Sequence, residues 1–110
     1  MDSSSALVAL AALSQATRLG TFQLLVRHAP EGLPAGEVAR QLDIPQNTMS
    51  AHLSTLARAG LVASERQSRS IVYRADLDRL RALMLFLAKD CCGGDPALCS
   101  AVVADLSPCC

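Results

Sequence analysis

Tryptophan is absent from this chain of 110 residues, and Phe22, Phe86 and Tyr73 are its only aromatics. A core without large rings must be built from Leu, Val, Ile, Ala and Met, which suits packed helices. Cysteine is missing until residue 91; all five stand in the last stretch, as Cys91, Cys92, Cys99, Cys109 and Cys110. Thiols that merely fill a core are scattered through it, and an odd count fits a disulfide scaffold poorly. The formal net charge is zero, so charge on the whole molecule does not point to nucleic acid. No apolar run is long enough to cross a bilayer. Residues 6–13 have the apolar character of a secretion signal, but they follow Asp2 and three serines, where a signal needs positive charge. These absences predict a cytoplasmic protein, without a membrane partner, whose thiols stay reduced.

What is present has an uneven distribution. Residues 34–75 carry five arginines (Arg40, Arg58, Arg66, Arg69, Arg74) against Glu37, Asp43 and Glu65, whereas residues 76–110 carry Arg79, Arg81 and Lys89 against five aspartates. The middle third is therefore the basic part. Apolar spacing predicts helices over residues 5–15 and 16–27, the first with Leu7, Leu10 and Leu13 near one side. Pro30, Gly32 and Pro34 mark a loop. A short helix over 35–42 buries Val38, Ala39 and Leu42, and Asp43-Ile44 makes a tight turn. Pro45 opens the next helix, because its missing N–H would be unpaired there anyway. That helix runs to about residue 59, with Met49, Leu53 and Leu56 facing inward and Gly60 as its stop. Extended runs over 61–65 and 71–74 form a hairpin with a polar tip at 66–70. A last helix covers 76–90, with Asp76 as its N-cap and Leu80, Leu83, Met84 and Leu87 on one stripe. Gly93-Gly94 and Pro96 end it. The expected fold is mainly α with a small β-hairpin: four helices, the hairpin, then a fifth helix, over residues 1–90. Residues 91–110 form a cysteine-rich tail.

Two helices joined by a very short turn and followed by a hairpin make the winged helix-turn-helix plan, in which the second helix can enter a major groove. The outward residues have suitable chemistry. Gln46 and Asn47 can make paired hydrogen bonds to adenine, and Thr48 and Ser50 can reach bases or phosphates. His52 and Ser54 lie on the same helix. Arg66 and Arg69, placed at the hairpin tip, can contact the DNA backbone or minor groove.

The stretch from Leu13-Ser14-Gln15-Ala16-Thr17-Arg18-Leu19 through Phe22-Gln23-Leu24-Leu25 resembles the opening of the ArsR/SmtB family of metal-sensing repressors. So do Val38-Ala39-Arg40-Gln41-Leu42, the run Gln46-Asn47-Thr48-Met49-Ser50-Ala51-His52-Leu53, the following Leu56-Ala57-Arg58-Ala59-Gly60-Leu61-Val62 and the wing Ser68-Arg69-Ser70-Ile71-Val72-Tyr73-Arg74. Ala51 departs from the basic residue common at that place, which removes one contact to DNA. The resemblance implies a homodimer that binds double-stranded operator DNA when metal-free, and a regulator rather than an enzyme, with no catalytic cofactor. The last helix is apolar on more sides than a small monomer can cover. That agrees with pairing through the first and last helices across a two-fold axis.

Neither metal site familiar in that family is here. The helix over 35–42 has no thiol, and the last helix has no histidine. Only the tail remains as a sensor. Sulfur-only ligand sets select soft ions, and structural zinc prefers cysteines two to four residues apart, unlike the adjacent pair Cys91-Cys92. Gly93-Gly94 permits a sharp reversal, which can bring Cys99 beside that pair. Three thiols from one short segment match a pyramidal centre such as arsenic(III) or antimony(III). The resemblance points the same way, because some arsenite-responsive members place cysteines at the end of the last helix. Cys91, Cys92 and Cys99 are therefore the expected ligands of the inducer, with Cys109 and Cys110 as weaker candidates. Thiol oxidation, or sensing of cadmium, zinc or lead on the same fold, is the alternative.

Overall fold

In a computed structural model, residues 1–91 are described, apart from the side chains of 89–91. The elements run α1 (Ser3–Leu13), α2 (Ala16–Arg27), β1 (Leu33–Pro34), α3 (Ala35–Leu42), α4 (Gln46–Arg58), β2 (Val62–Gln67), β3 (Ser70–Ala75) and α5 (Leu77–Cys91). This is the expected winged helix-turn-helix order, with one short strand added ahead of α3. None of the described helices is long and apolar enough to cross a membrane.

Polar side chains fix the helix ends. Asp2 Oδ1 accepts the Ser5 N–H at 2.8 Å and starts α1; that bond also holds the carboxyl below its ordinary range. Gln15 Oε1 accepts the Arg18 N–H at 2.8 Å and starts α2. Arg18 Nε in turn donates to the Ala12 carbonyl at 2.6 Å, which pins the beginning of α2 to the end of α1. Thr21 is fully buried on α2, and its hydroxyl donates to the Thr17 carbonyl at 2.7 Å, so the burial leaves no unpaired group.

α1 turns a different face inward from the one its leucines suggest. Ala6, Ala9 and Ala12 are buried, while Leu7 is 66% exposed and Val8 52%. A row of methyl groups lets α1 lie close against α2 and α4, and the bulkier side chains are left outside.

The turn between α3 and α4 rests on Asp43, which takes the left-handed conformation at φ 53°. An aspartate tolerates that region better than most residues. The Ile44 N–H then reaches back to the Ala39 carbonyl at 3.0 Å. Pro45 stands just outside α4 as its N-cap, and its carbonyl accepts the Met49 N–H at 2.9 Å. Met49, Leu53 and Leu56 are completely buried. Gly60, at φ 78°, reverses the chain after α4.

Three strands form one antiparallel sheet in the order β1-β3-β2. The β2–β3 register runs from Val62 opposite Ala75 to Gln67 opposite Ser70, so the strands are longer and the tip shorter than expected. Only Ser68 and Arg69 make the turn, with Ser68 at φ 58°. Arg66 belongs to β2, opposite Ile71. It therefore lies within the ladder and not at the tip, because pairing continues two residues past the apolar run. β1 adds Leu33 opposite Tyr73 and Pro34 opposite Val72. Gly32 permits this approach: its φ is 78°, and a Cβ there would lie 2.3 Å from the Tyr73 carbonyl oxygen.

At the start of α5 the Asp76 N–H donates to the Leu61 carbonyl at 2.8 Å, and Asp76 Oδ1 accepts the Arg79 N–H at 3.0 Å. Leu83 is buried, with Leu80, Phe86 and Leu87 packed half-buried beside it. Met84, on the same expected stripe, is exposed together with Leu77 and Leu85.

Candidate nucleic-acid interface

α4 divides sharply into faces. Opposite the buried row of Met49, Leu53 and Leu56 stands an outer row of Asn47, Ala51, Ser54 and Arg58, all exposed. Successive residues turn by about 100°, so Gln46 and Ser50 fall on one flank of that row and Thr48 on the other. His52 lies on the same side as Thr48 and is half-buried. Asn47 Oδ1 accepts the Thr48 N–H at 2.9 Å, which steadies the first turn. Thr55 Oγ1 donates to the Ala51 carbonyl at 3.1 Å, and Arg58 Nη2 reaches Thr55 Oγ1 at 3.4 Å, laying that guanidinium along the helix. Ala51, in the middle of the outer row, offers no polar atom.

The wing and the flank of α4 enclose a cleft of about 350 Å³. Gln46 and Ser50 line it from α4, Arg69, Ser70, Ile71 and Tyr73 from the wing, and Pro34, Ala35 and Gly36 form its floor. Of the residues expected at the interface, the fold thus brings Gln46, Ser50 and Arg69 together. Asn47 and Ser54 face outward beside them, Thr48 and His52 stand on the far flank, and Arg66 lies further back on β2. Ile71 and Tyr73 were not among the residues expected from the sequence. Their signal was the period of two in a strand, which puts both on one side of β3.

Four arginines of α3 and the wing fall into two groups. Arg40 is bound to Glu37, and Arg74 to Glu65. Hydrogen bonds from Arg40 and then Gln41 pull the Glu37 carboxyl from 4.5 down to about 2, and Arg74 lowers Glu65 in the same way. Arg66 and Arg69 have no protein partner among the described residues, and their charge is available to an anion.

The expected thiol site falls mostly outside this description. Cys91 closes α5, while Cys92, Cys99, Cys109 and Cys110 lie outside the described residues. Among the described residues, no group of three or more His, Cys, Asp or Glu side chains could hold a metal ion.

Comparison with known proteins agrees with this geometry. Residues 13–65 match a helix-turn-helix domain family. The transcriptional activator HlyU of Vibrio cholerae is 29% identical over 91 residues, covering 83% of this chain and 82% of that protein. A structure of reduced HlyU from the same organism superimposes with a TM-score of 0.63 at 27% identity, over 77% of this chain and 87% of that one. An ArsR-like transcriptional regulator from Rhodococcus sp. RHA1 gives a TM-score of 0.73 at 26% identity, over 89% of this chain and 90% of that one. The homodimeric winged helix-turn-helix DNA-binding domain Mb0332 of Mycobacterium bovis gives 0.66 at 25% identity, over 94% and 82%. Fold, polar helix face and these likenesses define the class: a winged helix-turn-helix transcriptional regulator and not an enzyme. Within that class the chain is similar to the ArsR-like and HlyU regulators.

Proposed function

We propose that the chain acts in the cytoplasm as a homodimeric repressor. It binds double-stranded operator DNA when ligand-free and releases it when arsenite or antimonite is captured by thiols at its C-terminal end. The observation that carries the DNA half is α4 itself, fully buried on one side, polar on the other, and flanked by the unpartnered Arg69. The dimer is supported by apolar side chains left outside on α1 (Leu7, Val8, Leu10) and α5 (Leu77, Met84, Leu85). Such patches mark interaction surfaces, and the relative Mb0332 is described as homodimeric. Two-fold symmetry places two reading helices about 34 Å apart on a near-palindromic site.

The sensing half rests on the confinement of cysteine to the tail. Cys91 ends the helix that carries the exposed apolar residues, and Cys92 and Cys99 follow. Neutral arsenous acid exchanges three hydroxyls for three thiols and releases three waters, so no ionised thiol is required beforehand. Tying the end of α5 to the tail alters the dimer seam and with it the spacing of the two α4 helices. A coupling of ~1–3 kcal/mol is typical of such linkage.

The test is operator release. A duplex selected by the protein from a random pool is titrated with arsenite, using wild type and Cys99→Ser. Wild type dissociates; the variant binds DNA normally and stays bound. Equal release from both overturns the thiol site. A second reading is a disulfide, between Cys91 and Cys99 or across the dimer, formed under peroxide; the similar protein HlyU has been solved in a reduced form. Mass separates the two. Oxidation removes two hydrogens per bond, whereas arsenic adds its own mass. Cadmium, zinc and lead in the same titration rank the soft ions.

A further inference from the structure

Gln46 lies off the outermost row of α4. The outermost row of α4 is Asn47, Ala51, Ser54 and Arg58, and Gln46 lies roughly 100° round the helix from Asn47. Its amide nitrogen is 3.5 Å from the position a Cβ would take on Gly36, so the side chain is folded over the start of α3. It faces the cleft that Ser50, Arg69 and Ser70 line with it. Every polar side chain there can donate a hydrogen bond, and one carries a positive charge without a protein partner. The nearby carboxylates do not oppose an anion. Glu37 is engaged along α3 by Arg40 and Gln41, and Glu65 by Arg74. The remaining wall is apolar, with Ile71 46% exposed and Tyr73 beside it. At about 350 Å³ the space is large for a lone ion, and its chemistry suits an anionic group joined to an apolar ring.

We propose that this cleft clamps one deoxyribose-phosphate unit of the DNA backbone. Arg69, Gln46 and the two serine hydroxyls take the phosphate, Ile71 takes the sugar, and Gln46 sets register without reading a base. This rests on the DNA-binding reading above and assigns to backbone positioning a residue whose type alone suggests adenine recognition.

The experiment uses the full chain, the selected duplex and a scrambled one, with affinities measured over a range of salt. Gln46→Ala weakens both duplexes alike, on the order of tenfold, and leaves the preference at every base pair unchanged. Arg69→Ala also weakens both and lowers the log–log salt slope by about 0.9 per half-site. Gly36→Leu fills the cleft from its floor and abolishes binding with unchanged thermal stability, while Gly36→Ala is tolerated. Replacing single phosphates by neutral methylphosphonates finds one position per half-site at which Gln46→Ala and Arg69→Ala both lose their effect. Relaxed preference at one base pair in Gln46→Ala, or coupling of the two residues to different phosphates, overturns the clamp and leaves the regulator intact. Wild type that binds neither duplex sinks the DNA reading and this inference with it.

Discussion

α4 and α5 are of similar length but use their apolar residues differently. α4 has three large apolar side chains, Met49, Leu53 and Leu56, and all are completely buried. No large apolar side chain remains for its outer face, which is free to meet a polar partner. α5 carries seven in its first eleven residues: Leu77, Leu80, Leu83, Met84, Leu85, Phe86 and Leu87. Of these only Leu83 is buried in the protomer. Each such side chain gains roughly 1.5–3 kcal/mol on full burial, so the surplus on α5 is a standing drive toward an apolar partner. One helix is finished by its own domain; the other keeps apolar surface among the described residues, which the proposed second chain would cover.

The strongest way to break this contrast is to charge the outer side of α1 and α5. Leu7→Glu combined with Leu85→Glu places two carboxylates per protomer in the proposed seam, each costing several kcal/mol when buried there. Sedimentation should show monomers, and DNA affinity should collapse while helix content is retained. A variant that still sediments as a dimer removes these faces from the seam.

The opposite manoeuvre acts inside α4. Leu53→Ala leaves a cavity beneath the reading helix and should lower stability by ~2–5 kcal/mol in denaturant unfolding at fixed protein concentration. Leu85→Ala should cost the isolated protomer far less. Equal losses would mean that both helices are held by the same core. A third change asks whether the wing is as firmly placed as α4. Gly32→Ala puts a methyl group 2.3 Å from the Tyr73 carbonyl oxygen at a φ of 78°. It should cost ~1–3 kcal/mol and loosen β1 from β3, visible as faster amide exchange at Leu33 and Tyr73.

How far the sequence carries this far depends on period. In α4 the spacing of Met49, Leu53 and Leu56 against polar residues leaves one possible inner face, and the structure buries that face. In α1 alanine and leucine both recur at helical spacing. Hydrophobicity alone favoured the leucines, but close packing favours the smaller Ala6, Ala9 and Ala12 once α2 and α4 are in place. The turn at Asp43, the stop at Gly60 and the cap at Asp76 were legible because each depends on one local residue type. β1 was not, since two residues around Pro34 carry no strand signal and pair only because Gly32 lets them approach Tyr73. The cleft was illegible for the same reason. Gln46 is far in the chain from Arg69 and Ile71, and only the sheet brings the wing against α4. For the thiols the sequence offers composition alone: confinement to one end is the ground for the proposed sensor chemistry and carries no geometry.

The smallest expected effect concerns α3, the platform on which α4 is mounted. Its exposed ion pair between Glu37 and Arg40 draws the Glu37 carboxyl from 4.5 to about 2. A carboxyl whose folded value is depressed contributes stability that is complete above its unfolded value, near 4.5, and is lost as pH falls through the folded value, near 2. Glu37→Gln should therefore match wild type in the strongest acid and fall slightly below it as pH rises past that window. Because the pair is exposed, solvent and salt screen it, so the gap should narrow at high ionic strength. The carboxyl resonance of Glu37, followed by NMR, should titrate near 2. A midpoint at its ordinary value would mean that the pair does not hold in solution, and that α4 stands on its buried contacts alone.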